Sequence, residues 1–418
     1  MSAAAGRRRL SQVELDLVLA SHERFITGKP GGKRVSMRLL DLSGLDLAGR
    51  NLEDADFSGS SFDGAHMARV GLERGNLFGC DLRGTDLRGA NLRRADLRGC
   101  CLRGADLSLA DLTQADFREG QIGVSHPRRG LDLLRQETRS GDLDHANFSG
   151  ATLDGSQFNG TSACAADFSD CSMRGAKLSR ANFKDANMSG ALLEGAEVAG
   201  ANLEGVNLVG AVLSGVDTSG ARLSRANLAG VLGDPGPEAF ARAAALVERL
   251  TANRAWCETG AKQGAPGRFD GEDLRPIAQL MQGAKLTAAS FKGACLVGID
   301  LSGAALQGAN FEGADLRGAC LQDADLRGAR FAGANMTKAD LRRAIAAPLP
   351  LGGDRVAAVN LGGARLRYLA AQMSELTAAV FDEADLHGAD FTGAVLDQTS
   401  WRRTKLDAVS GLDLYRAA

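Results

Sequence analysis

The residues best placed to do chemistry in this 418-residue chain are five arginines, Arg83, Arg88, Arg93, Arg98 and Arg103, spaced five apart. Guanidinium groups in a regular row would grip phosphates or an acidic partner. Other candidates fail on spacing. Abundant Asp and Asn suggest calcium, but calcium-binding β-helix repeats are nine residues long with a Gly-Gly-x-Gly-x-Asp pattern. The stretch Gly28-Lys29-Pro30-Gly31-Gly32-Lys33-Arg34 imitates a phosphate loop, yet it is one residue short and Arg34 replaces the hydroxyl residue. Five His (His22, His66, His126, His145 and His387) have no ligand spacing, and neither do the eight Cys. No Ser or Cys lies in a nucleophile motif. The expectation is a protein without catalytic residues, metal or cofactor.

What positions the arginines is a period of five. From Leu42 onward every fifth residue is large and apolar, and the residue two before it is usually Ala, as in Ala105-Asp106-Leu107 and Ala115-Asp116-Phe117. An α-helix turns about 100° per residue, so this period would wander around it. A strand alternates with period two, which suits one unit but not the next. The pattern in, out, in, out, out requires a corner after each short strand. Successive corners close a coil, and stacked coils make a β-solenoid. Phe291, Phe311 and Phe331 recur every twenty residues, as do Phe148 and Phe168, which favours four units per coil.

The repeated A-[DN]-L-x-x unit resembles the pentapeptide-repeat family over most of the chain. That resemblance implies an all-β fold, a right-handed quadrilateral parallel β-helix, here in two stacks each preceded by a capping α-helix. It does not fix a function, because members do unrelated things. Quinolone-resistance members resemble B-DNA and act on DNA gyrase, which makes a gyrase-modulating DNA mimic one alternative. Such mimicry needs a dense acidic surface, whereas this chain has a net charge of −2.

A twenty-residue coil sets Asp63 below Arg83 and Glu73 below Arg93, while Asp81, Asp86 and Asp96 each stand two residues before an Arg. Self-pairing, worth about 0–1 kcal/mol per exposed pair, is therefore favoured over nucleic-acid binding through the arginines. Phe78 occupies the same outward position, with Arg98 one coil on. It reads as a cation–π partner or as an anchor for another protein. Trp401, Leu412, Leu414 and Tyr415 close the last coil or form a homodimer face, as C-terminal ends do in some members of the family.

The organisation follows the phase of the repeat. Residues 1–36 read as an N-terminal capping helix and linker, with Ser11-Gln12-Val13-Glu14 as capping box, Leu10 and Leu15 as staple, and an apolar stripe of Leu15, Val18, Leu19, Phe25 and Ile26. Residues 37–230 form the first solenoid. An irregular coil at 123–142 interrupts it, because Ile122 and Leu143 are one coil plus a single residue apart. Residues 231–280 hold an internal helix and linker. Pro237 suits its first turn, and Phe240, Ala244, Val247 and Leu250 recur at helical spacing, followed by Trp256. Residues 281–411 form the second solenoid with a loop at 344–358, since Leu341 and Leu361 are twenty apart, and 412–418 a C-terminal cap. Both helices are followed by Thr-Gly and a basic Gly-rich stretch, so the chain reads as two modules of one plan.

Arg7-Arg8-Arg9 lacks the apolar run of a signal peptide, and no segment is apolar enough to span a membrane. Several Cys stand where Ala usually stands, which reads as small buried side chains in a cytoplasmic protein. The expected function is a non-enzymatic scaffold for an unknown protein partner.

Overall fold

A computed structural model describes residues 7–126 and 130–412, with backbone alone for 122–126 and 130–137. The chain divides into two compact units, Met1–Asp234 and Pro235–Ala418.

The first unit contains β1 (Arg8–Arg9), α1 (Gln12–Ile26), β2 (Leu40–Asp41), β3 (Gly120–His126) and β4 (Gly130–Arg139). Its body is a column of single-residue parallel bridges. The residue before each central apolar residue bridges the one twenty further on, Asp56 to Asn76 and Asn76 to Asp96. Four five-residue units thus make one coil, and the central side chains stack in interior columns. Nearly all of those from Leu42 to Leu208 are essentially inaccessible. The residue two past each centre turns the corner in left-handed backbone, as at Gly104 with φ +67°. Glycine enters that region freely, while a residue with a side chain pays about 1–2 kcal/mol.

The expected irregular coil is instead an excursion from the stack. β3 and β4 pair antiparallel, Gly120 opposite Arg139, as a hairpin. Meanwhile Cys101 bridges Asp142 and Asp116 bridges Gln157, forty-one residues apart, so the coils close as though the insertion were absent. Its length matches a coil only by coincidence.

β1 pairs parallel with β2 below the first coil. Ser11 and Glu14 then complete the capping box of α1. Leu10 and Leu15 are both buried, but the stripe differs from expectation: Leu15, Leu19 and His22 face the core while Val18 and Phe25 are exposed. Side chains of α1 complete the backbone hydrogen bonds of the adjoining coil. The Gln12 amide both donates to the Asp46 carbonyl (3.0 Å) and accepts from its N–H (2.9 Å). His22 Nδ1 accepts from the Val35 N–H at 3.1 Å.

The second unit opens on α2 (Pro237–Glu258) and a 3₁₀ turn (Arg275–Leu280), and later carries β5 (Leu349–Pro350) and β6 (Val356–Ala357). Gly236 caps α2 and Pro237 begins it. Here too the stripe differs from expectation in part: Leu246 and Asn253 are buried and Phe240 is 59% exposed, while Val247 and Leu250 pack partly buried against the core as expected. Asn253 plays the part of His22, its Oδ1 accepting from the Gly267 N–H at 2.6 Å. The glycine-rich stretches have one role as well. A β-carbon on Gly32 would strike the Phe25 backbone, and one on Gly264 the Ala252 carbonyl, so each lets the chain turn tightly against its helix. Phe269, Phe291, Phe311 and Phe331 form one column with centroids 4.8–5.0 Å apart and planes within 9°. Arg330 bridges Asn360 and Ile345 bridges Glu375, thirty apart. Leu361 therefore stacks above Phe331 and not Leu341, and β5 with β6 is a small hairpin inserted between coils.

Burial pushes the His22 imidazole below its ordinary value, against the opposing pull of Glu53 and Asp54. The unfolded chain, with an ordinary His near 6.5, then binds the proton more readily than the folded one. The stabilisation is complete above about pH 6.5 and lost as pH falls below it. The hydrogen-exchange protection factor of the Val35 amide is expected to drop between pH 7.5 and 5.5 in the native chain. His22→Asn, which copies Asn253, is expected to flatten that dependence.

Candidate functional site

The outer surface is built from one local device. Asp or Asn before a central residue accepts the backbone N–H two residues on, as Asp106 does from Ser108 at 3.0 Å and Asn147 from Ser149 at 3.0 Å. This is an Asx turn holding the corner. When the residue two on is Arg, the same carboxylate also takes the guanidinium through two bonds: Arg83 with Asp81 (2.7 and 2.6 Å), Arg88 with Asp86 (2.8 and 2.7 Å) and Arg98 with Asp96 (2.9 and 2.7 Å). The Arg88 guanidinium holds the Asp86 carboxyl below the usual carboxylate range. Arg93 and Arg103 follow Asn91 and Cys101, and both reach upward instead. Arg93 meets Asp111 at 3.0 Å, and Arg103 meets Asp142 at 2.9 Å and Asp144 at 3.2 Å. The expected Arg83–Asp63 pair is present at 3.5 Å. Glu73 pairs with Arg74 and not with Arg93.

The five arginines do not form a row. Only Arg83 and Arg103 share a side of the coil, because Asp81 bridges Cys101 and each intervening unit turns a corner. Constant spacing in sequence becomes rotation in space.

Phe78 is half-buried. The Arg98 guanidinium lies 5.5 Å from its ring centroid, as the coil length required. Its other neighbour is the start of β3, where a β-carbon on Gly120 would collide with the ring. Phe78 is thus a seat for the hairpin base. The hairpin was missed in the sequence, although the breakers at His126-Pro127 and Arg129-Gly130, between alternating Ile122, Val124 and Leu131, Leu133, carried the signal.

A second missed device spans two coils. Where Ser replaces the Asx acceptor, an Asp eighteen residues earlier supplies it. Asp144 accepts from Ser162 Oγ (2.7 Å) and the Cys164 N–H (2.8 Å), and Asp154 from Ser172 Oγ (2.6 Å) and the Arg174 N–H (2.9 Å). Asp382 repeats it beneath Ser400, and Asp270 does so beneath Ser290 from twenty residues earlier.

At the far end, Trp401 stacks on Phe381 at 4.4 Å, its indole N–H donates to Thr399, and Leu412 is buried in the same core. Leu414 and Tyr415 lie outside the described residues. The eight cysteines are free. Cys80 is wholly buried, which pushes its thiol up to about 12 and leaves it inert. Among the described residues no three His, Cys, Asp or Glu side chains converge to hold a metal. No described helix is long and apolar enough to cross a membrane.

Eight stretches match the family model of pentapeptide repeats: 41–74, 76–119, 141–180, 171–208, 191–230, 284–323, 309–345 and 360–398. No curated protein matches the chain. Among solved structures, the chain is similar to HetL, a pentapeptide repeat protein involved in heterocyst differentiation regulation in the cyanobacterium Nostoc sp. strain PCC 7120. It has 27% identity over 51% of this chain and 95% of that one, with a TM-score of 0.25. A trypsin-treated form of QnrB1, a plasmid-mediated fluoroquinolone resistance protein, has 19% identity over 51% of this chain and 97% of that one (TM-score 0.28). Rfr23 of the cyanobacterium Cyanothece 51142 has 24% over 38% and 87% (TM-score 0.14).

The two-coil acceptor predicts a rescue. Asp144→Ala strips acceptors from a hydroxyl and a backbone N–H, and one of the two carboxylates from Arg103, and is expected to cost about 1–2 kcal/mol in denaturant unfolding. Asp144→Ser combined with Ser162→Asp returns the acceptor to the unit itself, and is expected to recover most of that loss.

Proposed function

Because the chain belongs to the pentapeptide-repeat family, we propose that it is a non-enzymatic scaffold that holds a protein partner, with the hairpin of β3 and β4 as its recognition element. One observation carries this reading: the insertion leaves the ladder undisturbed, with Asp116 bridging Gln157 across it. A segment that adds nothing to the stack still costs conformational entropy to order. Inserted loops on a rigid frame are where binding residues concentrate. The frame itself is rigid, so little further ordering is lost when a partner docks.

The rest of the reading follows from the same frame. The helices α1 and α2 cap the first coils of two right-handed, four-sided solenoids, and Trp401 with Leu412 closes the last coil. The free cysteines suit a reducing compartment and hence the cytoplasm. No observation favours the DNA mimic, since the carboxylates beside the arginines are neutralised by them. Nucleic-acid binding through Arg83 to Arg103 loses its basis once these residues face different sides and are all paired.

Deleting residues 120–140 joins Glu119 to Gly141 and restores the five-residue phase. The variant is expected to keep the β-solenoid circular dichroism and to melt within a few degrees of the native chain. In affinity purification from the native source it is expected to lose the partner that the full chain retains. An unchanged set of partners would exclude the hairpin reading.

A further inference from the structure

Helix α1 is apolar on two opposite faces. Leu15, Leu19 and His22 point into the stack and are buried. On the far side Val13, Leu17, Ala20 and Arg24, three and four residues apart, form one outward stripe. Val13 is 70% and Leu17 71% exposed, and Val18 and Phe25 beside them are exposed as well. A surface helix carries polar groups on the face that meets water, and a helix apolar all round is a covered one. The capping role of α1 does not call for the outer side chains, because Leu15, Leu19, Gln12 and His22 already seal the coil. The stripe belongs to the first unit, at the end remote from the point where the chain leaves it. Asp41 and Arg222 are eight coil-to-coil bridges apart, roughly 40 Å at about 4.8 Å each.

We propose that this stripe is a self-association surface, on which α1 of a second copy of the chain packs antiparallel. The stripe is its own complement. Its spacing of four, three and four reads the same in both directions, so an antiparallel copy sets each Leu17 against Ala20 of the other and each Arg24 against Val13. A large side chain opposite a small one lets two helices interdigitate. Charge agrees with this direction. Glu14 lies in the first turn of α1 and Arg24 in the last. Antiparallel packing brings Arg24 of each copy beside Glu14 of the other, and the opposed helix dipoles attract. A parallel copy would set Arg24 against Arg24 and Glu14 against Glu14. On the other flank Asp16 and Glu23 are held by Arg50 at 3.5 and 3.3 Å, so neither meets its counterpart as a bare carboxylate. Area sets the strength. A helix of 15 residues is about 22 Å long and about 10 Å across, which offers roughly a few hundred Å². A standard interface takes about 800 Å² from each partner. The dimer is therefore weak and reversible.

The test is analytical ultracentrifugation of the full chain from micromolar to near-millimolar concentration. Expected are a monomer–dimer equilibrium in the tens to hundreds of micromolar, and association at least tenfold weaker in Leu17→Glu and in Arg24→Glu. In the native chain Val13 and Leu17 are expected to gain protection from hydroxyl-radical oxidation as concentration rises. Leu17→Glu, placed on an outward position, is expected to melt with the native chain when both are dilute. The proposal is overturned by a chain that stays monomeric throughout, by a dimer indifferent to Leu17→Glu, or by oxidation at Val13 and Leu17 that does not change with concentration. It is equally overturned if Leu17→Glu lowers the melting temperature of the dilute chain, because the stripe is then covered from within one copy. The hairpin is a separate surface, so the variant lacking residues 120–140 is expected to dimerise as the full chain does.

Discussion

Everything in this protein is subordinate to the hydrogen bonds between one coil and the next. They fix the rise at the spacing of paired strands, about 4.7–4.9 Å. Phe291 and Phe311 lie 4.8 Å apart, and Phe148 and Phe168 4.7 Å, because the backbone places them there. Offset stacking of aromatic rings is compatible with that distance, so identical residues can repeat in one column at no cost in geometry. The same repeat sets the corners, where left-handed backbone recurs every five residues. It also turns outward side chains into vertical ladders, such as Asn207 on Asn187 at 3.0 Å.

The period and the core columns were legible because they depend on residue type alone. Large apolar residues at every fifth position admit one solution, and Phe291, Phe311 and Phe331 line up as their spacing required. The insertions were placed at 123–142 and 344–358, but that they stand outside the coil count was illegible for a related reason. Residues 120–140 differ from a coil by one residue, and Leu341 to Leu361 spans one coil in length while crossing a ten-residue excursion. Counting along the chain cannot tell a coil from a hairpin of similar length. Only the pairing of Asp116 with Gln157 and of Arg330 with Asn360 separates them. The helices failed differently. A search for apolar stripes skips His22 and Asn253, yet these polar residues sit at the centre of the buried faces because a coil end presents backbone groups as well as leucines.

Self-pairing of the arginines was legible, but a linear motif was taken for a linear object. Each five-residue step rotates the chain to a new side, so five arginines at equal spacing point in successive directions. Their charge is also consumed locally. The Asp that secures the corner is already aimed at the position two residues on, and Arg placed there completes a two-bond clamp with little further ordering. The same logic explains the Ser–Asp pairs eighteen apart: the corner N–H needs an acceptor, and the coil below supplies one when the unit does not. Net charge is silent on all of this, because it counts groups and not their commitments.

In a repeat this strict, specificity has to come from departures. Regular sides carry Asx corners and paired charges whose side chains are already engaged with one another, leaving few donors or acceptors to discriminate between partners. The departures have free chemistry by construction. A hairpin has two strand edges, and a stack end has rungs with no neighbour. At the start of each unit the chain meets that need with a helix bearing a polar residue in its buried face. It follows that the surface of this scaffold is differentiated by where its ladder is interrupted or stops, and that the many equivalent rungs between serve to hold those places at fixed separations.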